Sequence, residues 1–172
     1  MGYEIITIEP TVSDTAHGTG DVMFNLTEVK MPARACKVIN MFMEVAAGGG
    51  EDSTKIGILF FQKNTTSTLG TLNLTANIDS DDFENNKYIG QKFLMLDATS
   101  SLDLDVIQTT ALYYQCAAQT NLSSPDDSGA AEGMVLKGDA GASVVYAAGV
   151  IHAGAPDLDG TDNVKIHFHV EY

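Results

Sequence analysis

Tryptophan is absent from the chain, cysteine occurs twice, and lysine and arginine together supply nine of 172 residues. Each shortage excludes something. Two cysteines, Cys36 and Cys116, cannot form the framework on which small disulfide-rich folds depend. Cys36 opens an apolar run and Cys116 lies within LYYQCAA. Both are expected as reduced, buried thiols, because free cysteine behaves as a small hydrophobe. Against the nine basic residues stand 23 acidic ones, a formal charge of −14. That sign repels phosphate backbones and anionic lipid, so neither nucleic acid nor a membrane is an expected partner. It suits a basic protein surface or a salty medium. No apolar stretch approaches the ~20 residues needed to span a bilayer. The opening MGYEIITIEP has no basic segment and no long apolar run, so no secretory signal is expected. Ile6 stands where a myristoylation motif needs Ser or Thr.

Catalytic motifs are scarce as well. There is no Gly-x-Ser-x-Gly elbow, and neither cysteine has a nucleophile's context. His17, in HGTGD, reads as a loop residue. Gly18 and Gly20 do not make a phosphate loop, since no Lys-Ser/Thr pair and no helix start follows. The 23 carboxylates form too many pairs to single out two for glycoside hydrolysis. Asn25, Asn64, Asn73 and Asn121 each begin an Asn-x-Ser/Thr triplet, which an Asn- and Thr-rich composition supplies by itself.

What is present is β-patterning. The hydrophobic fraction of 44% and mean hydropathy of +0.01 exclude a disordered chain. The length suits one domain over residues 1–172, with roughly 70% of the unfolded surface buried on folding. Val22, Phe24 and Leu26 alternate with polar or flexible residues; so do Leu72, Leu74, Ala76 and Ile78, and again Val164, Ile166, Phe168 and Val170. Each set reads as a strand with one buried face, which would place Phe24 and Leu74 in the core; Phe60 is expected there too, on a strand apolar on both sides. Residues 56–61 are apolar on both faces apart from Gly57, which suits a central strand covered on each side or a strand with one face in an interface. Further strands are expected at 3–9, 36–45, 92–97, 102–107, 111–117, 133–137 and 143–152. A single helical turn is expected near 81–85, capped by Asp79 or Ser80. Segments 47–54, 121–131 and 153–163, rich in Gly, Asp and Ser, read as loops. The fold class is therefore all-β. The expected form is a two-sheet antiparallel sandwich of jelly-roll type, about eight to ten strands in sheets of four or five, with residues 1–10 as an N-terminal strand or arm. An immunoglobulin sandwich is disfavoured by the length and by the missing Cys–Trp–Cys pattern. Met23, Met31, Met41 and Met43 offer either adaptable apolar surface or sandwich core.

Three constellations could carry chemistry. His167, His169 and Glu171 sit at i, i+2 and i+4 of one strand and share a face. Two imidazoles and a carboxylate could bind Zn or Fe; the alternative is the polar face of an amphipathic strand. Asp157, Asp159 and Asp162 around Gly160 have the chemistry of a Ca²⁺ loop without EF-hand spacing. Asp79, Asp81 and Asp82 form a second acidic cluster, open to the same two readings. None of the three requires a cofactor.

The order of segments across the first 95 or so residues resembles a group of structural proteins of tailed, especially marine, bacteriophages. The resemblance rests on Gly20-Asp21-Val22, Arg34, the Val/Ile-rich run at 38–45, the apolar strand ending in Phe60-Phe61, Leu69 to Asn73, and Ile89-Gly90. Where the family pattern has an Asp-Asp-Gln-Gly loop, this chain has GGGEDSTK. The resemblance implies a non-enzymatic virion component, a head decoration or cement protein on the outer capsid surface, made in the host cytoplasm. Its partner would be the major capsid protein, and it would form a homo-oligomer, a trimer first. Tyr3, Ile5, Met31 and Arg34 are the candidate contact residues. The alternatives are a tail-fibre or receptor- and carbohydrate-binding module, for which the missing tryptophan is unfavourable, and a cupin-like metal protein. His-x-His on a jelly roll is similar to cupins, but their glutamate and further histidine fall elsewhere.

Overall fold

A computed structural model describes residues 1–46, 54–66, 68–96, 101–103, 111–115, 133–156 and 164–172, with backbone alone at 45, 46, 95, 96, 101–103 and 111–115. Ten strand segments are described: β1 (Tyr3–Ile8), β2 (Val22–Lys30), β3 (Ala35–Ala46), β4 (Thr54–Phe61), β5 (Tyr88–Leu96), β6 (Ser101–Asp103), β7 (Ala111–Gln115), β8 (Met134–Lys137), β9 (Val144–Ala153) and β10 (Val164–Glu171). One short helix, α1 (Ser80–Asn85), and one 3₁₀ turn, Asp139–Gly141, accompany them.

The strands form two antiparallel sheets, ordered β1-β10-β3-β7-β6, with β8 also on β3, and β2-β9-β4-β5. The pairing is nested. β4 pairs with β5, β3 with β7 and β8, β2 with β9, and β1 with β10. The chain is in effect one long hairpin wrapped so that successive pairs fall in alternate sheets, which is jelly-roll topology. β7 and β8 occupy a single place: β7 lies beside Phe42 to Ala46 and β8 beside Ala35 to Val38 of the same β3 edge. Nine segments therefore fill eight jelly-roll positions, and β6 is a tenth at one edge. The sheets hold six and four strands rather than the four or five each expected, because the split position and β6 both add to one sheet.

Alternation decides which faces meet. Ile6 and Ile8 of β1, Val164, Ile166, Phe168 and Val170 of β10, and Val38, Met41 and Met43 of β3 point inward. They meet Phe24, Ile56, Ile58, Phe60, Val145 and Ile151 of the other sheet in one cluster. Phe24 and Phe60 are fully buried there, as expected. The ring of Phe24 lies over Gly149, where a Cβ would come within 2.2 Å of ring Cε1. β9 thus needs glycine to receive that ring. Met23, Met31, Met41 and Met43 all belong to this core.

β4 is buried on its other face too. Leu59 and Phe61 join Leu69 and Ala148 in a second cluster, flanked by Leu26, Ile78 and Phe83. The cover is the segment between β4 and β5. Asn25 holds it by accepting from Leu69 N at 2.8 Å and donating to Gly70 O at 3.0 Å. Asn86, fully buried, accepts from Thr65 N and Thr66 N at 2.7 and 2.9 Å. α1 starts at a capping box in which Asp79 and Asp82 each accept from the other's backbone N–H, so this acidic cluster is a helix start.

That cover corrects one expectation. Residues 72–78 make isolated bridges, Val22 to Leu72 and Asp21 to Thr75, and no strand. Leu74 is 59% exposed and not a core residue. Asn73 lies at φ 58, in the left-handed region that breaks an extended run, so the alternation around it cannot face one way. Phe24→Ala should destabilise the protein by about 3–5 kcal/mol, while Leu74→Ala should stay within about 0.5 kcal/mol of wild type. Urea unfolding of both variants checks the assignment.

Candidate functional site

The two sheets differ in what covers their outer faces. β4 of the four-stranded sheet is roofed by its own chain. On the six-stranded sheet, the outer face of β1, β10, β3 and β8 carries exposed apolar side chains: Tyr3 at 67%, Ile5 at 55%, Ile39 at 48% and Val135 at 58%. Ile39 is turned outward at the bulge where β3 and β10 shift register, between Asn40 opposite His169 and Val38 opposite Val170.

A polar line crosses the middle of this face. β1 and β10 place Thr7 opposite His167, and the Thr7 hydroxyl shares a 2.9 Å hydrogen bond with His167 Nδ1. His167 Nε2 lies 3.5 Å from Glu44 Oε2, and Lys165 Nζ is 3.7 Å from the other Glu44 oxygen. Phe42, opposite His167 in β3, stacks on that imidazole at 4.4 Å between centroids and meets His169 edge-on at 5.2 Å. Burial lowers the pKa of His167 below its ordinary 6.5, outweighing the opposing pull of Glu44. The ring is therefore neutral at neutral pH. His169 Nε2 is buried without a hydrogen-bond partner among the described residues.

His167, His169 and Glu171 share this face, as their spacing requires. Their ligand atoms do not converge: His167 Nδ1 is bonded to Thr7, His167 Nε2 only approaches Glu44 without a hydrogen bond, and no group of three His, Cys, Asp or Glu among the described residues is placed to hold a metal ion. The order hydroxyl–imidazole–carboxylate also occurs in nucleophilic sites. Here it follows from ordinary cross-strand pairing on an open sheet face. The interface candidates separate. Tyr3 and Ile5 lie on the exposed face, and exposed Arg34 lies at the same end of the sheet, just before β3. Met31, by contrast, is only 6% exposed and belongs to the core, so it offers no contact surface. It sits one residue past β2, where its N–H donates to Ser143 O and carries the chain inward. Asp157, Asp159, Asp162 and Cys116 lie outside the described residues. Cys36 is a free, buried thiol whose pKa burial raises to about 11. His17 is indeed in a loop, but it is buried, its N–H donating to Pro156 O at 2.9 Å.

Among the described residues, two hollows lie elsewhere. One, of about 280 Å³, opens on the four-stranded sheet above Gly57, walled by Leu59, Phe93 and Val150 with Gln91, Thr19 and His152 at its rim. The other, of about 320 Å³, runs between β1 and β2. Thr7, Phe42, Glu44, Ile39 and Val135 were not singled out by the sequence. The bulge at Ile39 and Asn40 shifts the alternation of β3 by one residue, so only its register against β10 reveals that Phe42 and Glu44 share the outward face with Lys37.

Comparison with known protein families and with curated proteins finds no match to this sequence. The pH dependence of stability follows from His167. Its folded pKa lies below the unfolded value, so its contribution is fully present above pH 6.5 and lost as pH falls toward the lowered value. Urea midpoints at about pH 7.5 and about pH 5.5 should show wild type losing more stability than His167→Gln on acidification.

Proposed function

We propose that this chain is a non-enzymatic structural protein of a virus particle, a head decoration or cement protein that binds across neighbouring major capsid proteins. The observation that carries the reading is the face of the six-stranded sheet that the described residues leave uncovered. A jelly roll with one sheet roofed by its own chain and the other showing Tyr3, Ile5, Ile39 and Val135 has a platform for burial against a partner. Cementing works through buried area and needs no reactive group. A charge of −14 suits a basic patch on that partner. The resemblance of the first 95 or so residues to tailed-phage structural proteins points the same way.

A second reading is a receptor- or carbohydrate-binding module of a tail fibre. It is favoured by the hollow above Gly57, where Phe93, its ring beneath the Lys55 ammonium at 4.2 Å, stands beside the polar groups of Gln91, Thr19 and His152.

Copy number separates the two: hundreds per particle on heads support cement, and a handful on tails supports the fibre module. Particles lacking the protein should release DNA at lower temperature than complete ones. Attachment should weaken as salt rises, because screening shortens the range of the attraction. Identical DNA release from depleted and complete particles would remove the cement reading.

A further inference from the structure

Among the described residues, β1 ends the six-stranded sheet and pairs on one side only, with β10. Its hydrogen bonds can be phased. Gly2 and Tyr172 exchange both, at 2.8 and 3.0 Å. In an antiparallel ladder bonded pairs alternate, so Glu4, Ile6 and Ile8 also bond toward β10. Tyr3, Ile5 and Thr7 then direct their N–H and C=O groups away from the sheet.

Soluble proteins usually blunt such an edge with lysine, proline, a bulge or a covering segment. The strand YEIITI contains no lysine or proline, its pairing with β10 runs without a register shift, and Tyr3 and Ile5 are mostly exposed. Beside it runs the groove of about 320 Å³ between β1 and β2. Ile6 and Ile8 form its apolar wall, and Glu9 and Glu28 stand at its rim. Glu4 lies on the same side of β1 as Ile6 and is exposed. Lys30 also lines the groove but leans on Glu28 at 3.7 Å, so the rim stays net acidic.

The geometry points to β1 as a docking edge for an extended, basic segment of a partner protein, added antiparallel or parallel as a further strand. Alternate side chains of such a segment face opposite ways. Those on the outer face lie beside Tyr3 and Ile5 and are apolar. Those toward the groove are lysine or arginine, whose stems cover Ile6 and Ile8 while the charged heads reach Glu4, Glu9 and Glu28. A second copy of this chain is the poorer occupant, since it brings another −14 of charge to an acidic rim. The inference rests on reading the protein as a binding module and adds the mode of binding and the chemistry of the segment bound.

The test uses the full chain and a fluorescent octapeptide of alternating valine and lysine, followed by anisotropy. Saturable binding is expected, weakening with salt. Ile5→Pro deletes an outward N–H while leaving the bonds to β10, and should weaken binding about tenfold or more. Should that variant fold poorly, peptides N-methylated at alternate amides test the same bonds on the wild-type protein: one phase of methylation abolishes binding and the other leaves it. Equal binding of both phases, equal binding of a valine–glutamate peptide, or no binding overturns the proposal. So does a dimer of the protein alone that Ile5→Pro dissolves, which would assign the edge to a second copy. If the peptide fails while heads carry the protein in hundreds of copies, the edge mode alone falls. If the peptide binds and particles lack the protein, the virion reading falls and the edge stands.

Discussion

β4 cannot be left half wet. Ile56, Ile58 and Phe60 on one face and Leu59 and Phe61 on the other are all buried, so the four-stranded sheet needs cover on both sides. One cover is the opposite sheet. The other has to come from the chain itself, and the long connection from β4 to β5 supplies it. That connection is irregular backbone whose polar groups need partners, and Asn25 and Asn86 provide them from opposite directions. An asparagine amide accepts on one atom and donates from another, whereas an aspartate carboxylate in the same place could only accept. Asn25 therefore serves as a clamp, and its place in an Asn-x-Ser/Thr triplet is incidental.

The asymmetry between the sheets follows. With one sheet roofed from within, exposed apolar area collects on the other. The face between β1 and β8 is neither core nor ordinary surface: Phe42 and the two imidazoles form a half-buried aromatic row, bordered by Tyr3 and Ile5 on one side and Val135 on the other. Glu44 and Lys165 keep the centre of that row polar. Cross-strand pairs of this kind stabilise the sheet face on which they lie.

Much of this was legible in the sequence, for physical reasons that differ by element. β10 alternates strictly, so both its buried set and the shared face of His167, His169 and Glu171 could be read directly. The turn after Asp79 was legible from its capping residues. The nested pairing was not, because partners such as β1 and β10 lie at opposite ends of the chain and periodicity carries no information about them. Residues 72–78 misled because alternation is necessary for a strand but not sufficient; the left-handed Asn73 overrides it. Met31 misled in the other direction, since a methionine just past a strand gives no sign of which way it turns.

The divided place beside β3 has a consequence for how this fold tolerates change. β7 ends at Gln115, opposite Phe42, and β8 resumes at Met134, opposite Val38. The two ends are fixed by four steps of β3, about 13 Å at the usual rise per residue. Whatever length of chain joins them, neither anchor has to move, and the entropy of closing a loop grows only slowly with its length. Each anchor is thus held by its own pairing with β3. Lengthening or shortening the connection between them, by descent or by grafting an epitope, leaves the order of the strands to those pairings.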